Sequence, residues 1–166
     1  MANEVRYAIS VTPVEELTDA NASTHDVIAS EVGKSLGGDG TAAVGAFDGT
    51  AANQGYLNAT VNYLEVTDNA AVAVGGETDA RFVFLKHTGF KFSSATALGV
   101  AATNSVKITI GASDAFVSIL DAGECLVLKD DNGGINCTTL KAQVVTGAGA
   151  AVSDEHIALE YLIVDV

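Results

Sequence analysis

The stretch Val106-Lys107-Ile108-Thr109-Ile110 alternates apolar and polar side chains. Because successive side chains of a strand point to opposite faces, this period of two predicts a half-buried β-strand. The same alternation occurs in residues 5–11 and 57–63, whereas residues 82–85 and 162–164 are apolar throughout. Such continuous runs predict central strands that are covered on both faces. Together these segments predict an all-β protein.

Further strands follow from apolar segments that lie between clusters of Gly, Asn and Asp, which favour turns. They are predicted at 26–32, 42–47, 70–74, 116–120, 125–128, 139–145 and 156–166. One helical turn is predicted at 12–17, where Thr12, Pro13 and Glu15 have the pattern of a capped helix start. Many short strands without longer helices predict a single-domain β-sandwich over residues 1–166, of jelly-roll type.

Two segments contain few large side chains. Residues 33–54 consist mainly of Gly, Ala, Asp, Ser and Thr, and their large apolar residues are Leu36, Val44 and Phe47. Because they offer so little to bury, we interpret them as a long Gly/Ala-rich loop or arm within the domain, or as a weak surface hairpin. Residues 93–104 are interpreted as a second loop of low complexity.

The alternating pattern also predicts which side chains fill the core. The predicted core residues are Tyr7, Ile9, Val61, Tyr63, Phe82, Phe84, Ile108, Ile110, Phe116, Leu126, Leu128, Leu159 and Tyr161.

The charge of the chain excludes several classes of partner. Eight Lys and Arg stand against 21 Asp and Glu, which gives a net charge of −13 at pH 7. Nucleic-acid binding requires clustered cations that neutralise phosphates, and docking on an anionic bilayer requires them too. No apolar segment reaches the roughly 20 residues of a membrane-spanning helix. We therefore expect neither a nucleic-acid nor a membrane partner.

Two cysteines, Cys125 and Cys137, flank the turn-forming segment 130–134. This segment predicts a hairpin between residues 125–128 and the residues that follow it. A two-residue turn at Asn132-Gly133 places Cys125 opposite Leu140 and not opposite Cys137. The two cysteines lie opposite each other only if the loop has three or five residues and is centred on Asp131. We predict two free, half-buried thiols, as expected for synthesis in a reducing cytoplasm.

Motifs for catalysis and cofactor binding are incomplete. Residues 38–45, Gly-Asp-Gly-Thr-Ala-Ala-Val-Gly, lack the spacing of a dinucleotide-binding or phosphate-binding loop. His25, His87 and His156 are far apart in the sequence and do not form a zinc-binding pattern. The acidic turn 130–132 keeps Ca²⁺ open as an alternative, although turn chemistry alone explains its composition. We predict no catalytic residue, no cofactor, no metal site and no enzymatic activity.

The second half of the chain carries a family resemblance. Residues 81–90, with Lys86-His87-Thr88-Gly89, resemble a block of a strand followed by Lys-x-Thr-Gly in small virion proteins of tailed bacteriophages. Residues 106–110 follow, then 118–124 with Leu120-Asp121-Ala122-Gly123-Glu124, similar to a Leu-x-x-Gly-Glu step in those proteins. Residues 158–164 are similar to their terminal strand.

The resemblance implies a non-enzymatic structural protein of the virion, made in the host cytoplasm. It implies first a head decoration, or cement, protein that binds the outer surface of the capsid. The alternative is a tail, collar or host-attachment module that binds a carbohydrate or a cell surface. The expected partners are the major capsid protein, or another virion protein, and further copies of the chain, with a trimer favoured. The candidate assembly contacts are Leu36, Val44, Phe47, Met1 and Asn3.

Overall fold

The computed structural model describes residues 61–130 and 132–164 in full. Of the first 60 residues it describes Arg6, Ala8 and the backbone of the strands in that part of the chain. The chain divides into two compact units, one formed by Met1–Asn3 with Val44–Val166 and one formed by Glu4–Ala43. The prediction that residues 1–166 are one domain stays a prediction.

Every regular element of the described residues is a β-strand. The strands are β1 (Asn3–Val11), β2 (Val14–Thr18), β3 (Thr24–Ile28), β4 (Leu36–Val44), β5 (Tyr56–Leu57), β6 (Thr60–Val61), β7 (Tyr63–Val66), β8 (Val72–Ala73), β9 (Phe82–Ser94), β10 (Ala97–Ala101), β11 (Ser105–Ile110), β12 (Ala115–Leu120), β13 (Cys125–Lys129), β14 (Lys141–Val145) and β15 (Ile157–Val164).

The larger unit contains two antiparallel sheets. One sheet has the order β10-β9-β15-β7, and β13 also pairs with β9. The other sheet has the order β12-β11-β14-β8. Strand β9 is long enough to pair with β15 along one edge while β13 and β10 share its other edge, β13 at residues 82–86 and β10 at residues 90–94.

The core lies between these two sheets. Val83 and Leu85 of β9 and Leu159 of β15 are fully buried together with Ile108 of β11 and Val144 of β14. In β9 the residues 83, 85 and 87 face this core, as the alternation of a strand requires. The structure confirms the predicted all-β fold and the β-sandwich architecture.

The smaller unit has short sheets of its own. Strand β1 pairs with β4, and β2 pairs with β3 in an antiparallel hairpin in which Glu16 lies opposite Asp26. Strand β4 lies within the segment 33–54, for which the sequence predicts a loop, an arm or a weak hairpin. The predicted helical turn at 12–17 is wrong, because Val14–Thr18 is a strand. The cross-strand partner supplied by β3 overrides the local capping pattern.

Two loop predictions in the larger unit are also wrong. Residues 93–104 contain the turn between β9 and β10 and the whole of β10, so low complexity here does not mean irregular structure. The predicted hairpin around Asn132-Gly133 does not form, because β13 pairs with β9 and places Cys125 opposite Lys86. The chain after the turn lies instead beside residues 74–80, where Ala80 and Ile135 exchange backbone hydrogen bonds of 3.1 and 2.7 Å.

The predicted core is correct in part. Phe82, Ile108, Leu159 and Tyr161 are buried, and Ile110, Leu126 and Leu128 are half-buried against the main cluster. Val61, Tyr63 and Phe84 are half-buried. The prediction for Phe116 is wrong, because this residue is 64% exposed on the edge strand β12. The side chains of Tyr7 and Ile9 lie outside the described residues.

Candidate functional site

A buried histidine holds the middle of β9 to the segment that precedes β11. His87 is fully buried. The backbone N–H of Gly89 donates to its Nδ1 over 2.9 Å, so Nδ1 is an acceptor and the ring proton belongs on Nε2. Nε2 lies 2.9 Å from the carbonyl oxygen of Asn104 and donates to it. The neutral ring therefore satisfies two backbone groups.

The positive φ of Gly89 makes this arrangement accessible. Its φ of 83° lies in the left-handed region that favours glycine. The backbone of His87 is held as firmly as its ring, because its N–H donates to the carbonyl of Glu124 and its carbonyl accepts from Gly123, at 3.0 and 2.9 Å. The Lys-x-Thr-Gly block thus lies where the register between β9 and β15 shifts, between His87 and Lys91.

A second buried polar group, Glu155, lies beside the same segment. Its carboxylate accepts hydrogen bonds from the backbone N–H of Thr103, at 3.1 Å, and from the side-chain amide of Asn104. The Nζ of Lys91 lies 3.7 Å from it. A buried carboxylate is stable only when it is paired and hydrogen-bonded, and Glu155 has both kinds of partner. Asn104 bonds to His87 through its carbonyl and to Glu155 through its side chain.

These bonds define a structural network rather than a reacting pair. The Ser105 hydroxyl donates to the Asp121 carboxylate, and both ring nitrogens of His87 bond to backbone atoms. A nucleophile activated by a base requires a hydrogen bond between the two side chains, and the described bonds of Ser105 and His87 go elsewhere. The network holds four parts of the chain in one arrangement: strand β9, the segment 102–105, the turn 121–124 and Glu155.

The other predicted polar positions also bond within the protein. Oδ1 of Asp130 accepts the backbone N–H groups of Asn132 and Gly133, at 2.8 and 3.3 Å, and these bonds lower the pKa of the Asp130 carboxyl. This explains the acidic turn by local hydrogen bonding. Nδ1 of His156 lies 2.5 Å from Oε1 of Glu65 at the surface. Across the described residues, no three His, Cys, Asp or Glu side chains form a group that could hold a metal ion.

The cysteines are free, as predicted, but the prediction that both are half-buried is wrong. Cys125 is exposed on β13 and Cys137 is fully buried. Burial raises the pKa of the Cys137 thiol to about 12, with the nearby negative charge of Glu77 as a second, smaller cause.

The exposed apolar surface of the larger unit is concentrated on the β9–β10 hairpin. Leu98 lies opposite Phe92 and Ala101 lies opposite Phe90, and such cross-strand partners share one face of a sheet. We call these four residues the hairpin face. Phe90 is 41% exposed and Leu98 is 39% exposed. Exposed apolar side chains that form a contiguous patch mark a binding surface more often than apolar side chains that are scattered singly.

Two of the four residues of the hairpin face, Leu98 and Ala101, lie in a stretch without charge. Residues 93–104 contain no Asp, Glu, Lys or Arg, although the whole chain carries 29 of them. The central residues of a protein–protein interface are depleted in charge and enriched in aromatic residues, and Phe90 and Phe92 fit that composition. The hairpin face is therefore the part of the described surface best suited to contact another protein.

The predicted assembly contacts are placed only in part. Leu36 and Val44 are the two ends of β4, and Asn3 is the first residue of β1. Met1 and Phe47 lie outside the described residues, as do the side chains of the other three. These positions stay predictions. The interpretation of residues 93–104 as a loop does not predict the hairpin face. The signal in the sequence that points to it is the absence of charge over these twelve residues.

Comparison of the chain with protein-family models, with curated proteins and with solved structures gives no match. No helix in the described parts of the chain is long and apolar enough to cross a bilayer.

Proposed function

We propose that this chain is a non-enzymatic structural protein of a bacteriophage virion, a decoration protein that binds the outer surface of the head. The observation that carries a binding role is the uncharged, aromatic hairpin face on a protein with a net charge of −13. The choice of a virion rests on the resemblance of residues 81–90 and 118–124 to virion proteins. The partner is the major capsid protein or another protein of the shell.

Two further properties support this proposal. A large negative charge keeps free subunits apart before they meet the shell. It also suits the outside of a head, because packaged DNA would repel an acidic protein on the inside. Two free thiols are what a reducing host cytoplasm leaves in a newly made protein.

The test is co-sedimentation of the purified chain with heads assembled from the major capsid protein of the same virus. We expect saturable binding that Phe90→Asp weakens at least about tenfold, because the substitution forces a charge into an apolar contact. Phe116→Asp is the matched control, since Phe116 is also an exposed phenylalanine but lies on β12, away from the hairpin face. Its binding should equal that of the natural sequence.

A second variant separates the hairpin face from the Gly/Ala-rich segment. Deleting residues 37–53 removes most of β4 together with Val44 and Phe47. If this deletion abolishes binding while Phe90→Asp does not, the contact lies in the smaller unit or its flanks. Absence of any binding to heads contradicts the decoration role. A reproducible glycan-array signal from the same protein would favour the alternative, a host-attachment module.

A further inference from the structure

One buried carboxylate of the larger unit holds both a lysine and an asparagine. Glu155 is 4% exposed, and its two oxygens have different partners. The Nζ of Lys91 lies 3.7 Å from Oε1, and the side-chain Nδ2 of Asn104 donates to Oε2. An amine and a carboxamide are therefore held on the two oxygens of the same buried acid.

These three groups are the reactants and the base that an amide bond between two side chains requires. A lysine amine is a nucleophile once it has lost a proton, and a carboxylate in contact with it can accept that proton. The Cγ of a carboxamide is the electrophile. Amines and amides hardly react in dilute solution, but groups that a fold holds together react as if they were far more concentrated.

The other lysine–acid pairs of the described residues lack this arrangement. Lys86 also lies 3.7 Å from its partner, Glu160, but the carboxylate side chain of that pair is 32% exposed. Lys141 bonds to Asp114, whose side chain is 52% exposed. Neither of these two acids accepts a described hydrogen bond from an asparagine. The combination of a buried acid, an amine and an amide distinguishes Glu155 from them.

The surrounding bonds hold the asparagine in place. The carbonyl oxygen of Asn104 accepts a hydrogen bond from Nε2 of His87 over 2.9 Å, and the N–H of Thr103 donates to Oε1 of Glu155 over 3.1 Å. His87 and Ser105 are not a reacting pair, but the network that contains them fixes the backbone on both sides of the Asn104 amide. Such fixed positions favour reaction, because little has to be reordered when it occurs.

We propose that Lys91 and Asn104 form an intramolecular isopeptide bond, with Glu155 as the acid–base group. Glu155 takes one proton from the Lys91 ammonium group, and Nζ then attacks Cγ of Asn104. The Nζ–Cγ bond forms and the Cγ–Nδ2 bond breaks. The departing nitrogen takes the proton held by Glu155 and a second proton from Nζ, and it leaves as an ammonium ion. The carboxylate is restored, and no oxidant or other reactant is consumed.

This bond ties the two sheets of the larger unit together. Lys91 belongs to β9 in one sheet, and Asn104 directly precedes β11 in the other. The link therefore persists when the hydrogen bonds of either sheet open. The reaction occurs once in each molecule and changes the chain itself, so it is compatible with a non-enzymatic protein. It does not depend on the shell binding proposed above.

Mass spectrometry of the purified full chain tests the bond. We expect the natural sequence to be lighter than its calculated mass by one ammonia molecule. Because trypsin does not cut after an acylated lysine, residues 87–107 should be recovered as one peptide, uncut after Lys91 and lighter by the same amount. Lys91→Arg keeps the positive charge but removes the primary amine, and Glu155→Gln removes the base. Both variants should have their full calculated masses.

Lys86→Arg is the matched control, because Lys86 belongs to the same strand and forms an ion pair of the same length. It should keep the mass deficit of the natural sequence. Circular dichroism shows whether each variant is folded, and Lys91→Arg preserves the charge of a side chain that is 39% exposed, so it should fold.

The peptide map separates this bond from the other reaction that releases ammonia. A succinimide at Asn132-Gly133 would cause the same mass deficit, but it would persist in Lys91→Arg and would leave the chain cut after Lys91. The full calculated mass in the natural sequence, or a deficit that remains in Lys91→Arg, overturns the proposal. So does loss of the deficit in Lys86→Arg, or linkage in Glu155→Gln as complete as in the natural sequence.

Discussion

The ring of His87 bonds to the backbone of Gly89 on one side and of Asn104 on the other. Replacing it with phenylalanine fills the space but removes the partner of the half-buried Gly89 N–H and of the half-buried Asn104 carbonyl. We expect His87→Phe to lower the free energy of unfolding by about 2–4 kcal/mol, measured by urea denaturation. His156→Gln is the control, because that ring forms an exposed pair with Glu65 and should cost less than about 1 kcal/mol. Similar losses for both variants would contradict the role of His87.

Cys137 adds a pH dependence to stability. Its pKa is raised from the usual thiol value of 9.0 to about 12 in the folded protein, so the folded state keeps a proton that the unfolded state loses. Between about pH 9 and pH 12 the unfolded state therefore binds fewer protons, and stability falls as pH rises. The stabilisation is complete below pH 9.0, the unfolded value. In Cys137→Ser the fall in unfolding free energy over this range should be smaller.

The same difference in environment separates the two thiols in their reactivity. Because the thiolate is the reactive species, Cys137 should resist a thiol-specific reagent at about pH 8 while exposed Cys125 reacts. The measurement is the number of labelled thiols before and after addition of denaturant. Labelling of both thiols at equal rates in the folded protein would show that Cys137 is not enclosed.

At the scale of elements, the segment after the 130–133 turn depends on one glycine. Gly134 has φ of 75°, and a Cβ there would clash with the backbone at Cα of Asp79. Gly134→Ala must displace the backbone that joins residue 135 to Ala80, and we expect a loss of at least about 2 kcal/mol. Gly133→Ala is the control, since a Cβ there would lie 3.7 Å from its nearest neighbour, the Asp130 carboxylate. It should change stability by less than about 1 kcal/mol.

Strand β9 has one fully buried face and one partly covered face. Leu85 faces the core and is fully buried, whereas Phe84 is half-buried. We expect Leu85→Ala to cost about 2–5 kcal/mol, and Phe84→Ala to cost less despite its larger side chain. The unfolding free energies of the two variants, measured side by side, show which substitution costs more. A larger loss at Phe84 would mean that a further surface covers it.

Much of the larger unit follows from local pattern. Val106 and Ile108 are buried as the alternation in that stretch predicts, and strands at 116–120, 125–128 and 141–145 lie where the sequence places them. Pairing is harder to predict than strand position, because turn residues at 130–134 indicate a bend without showing which strand lies beside it. The partner of β13 is β9, which lies much earlier in the chain.

The polar network shows a second limit of local pattern. Glu155 and His87 are polar residues that the alternation treats as surface or strand-end positions, yet both are buried. Their burial depends on partners supplied by Thr103 and Asn104, which are far from them in sequence. A period of two reports the hydrophobicity of a position. It does not report whether a distant backbone group completes its hydrogen bonds.

At the scale of the whole molecule, the net charge of −13 opposes close approach of two copies of the chain. Salt screens this repulsion, because the Debye length shortens from about 30 Å to 10 Å as ionic strength rises from about 0.01 M to 0.1 M. We therefore expect the purified chain to repel its copies less, and to associate more readily, at the higher ionic strength. Sedimentation at several salt concentrations measures this change, and self-association that weakens with salt would contradict it.

The position of β9 between β15 on one side and β13 and β10 on the other affects how the amide protons exchange with solvent. Amides of residues 82–86 are enclosed by strands on both edges, so their deuteration requires the opening of the whole sandwich. Amides of β10 that face its outer edge require only local opening. Neighbouring strands of the molecule therefore have slowly and rapidly exchanging amides. A partner that covers the outer edge of β10 would slow the exchange of the β10 amides alone.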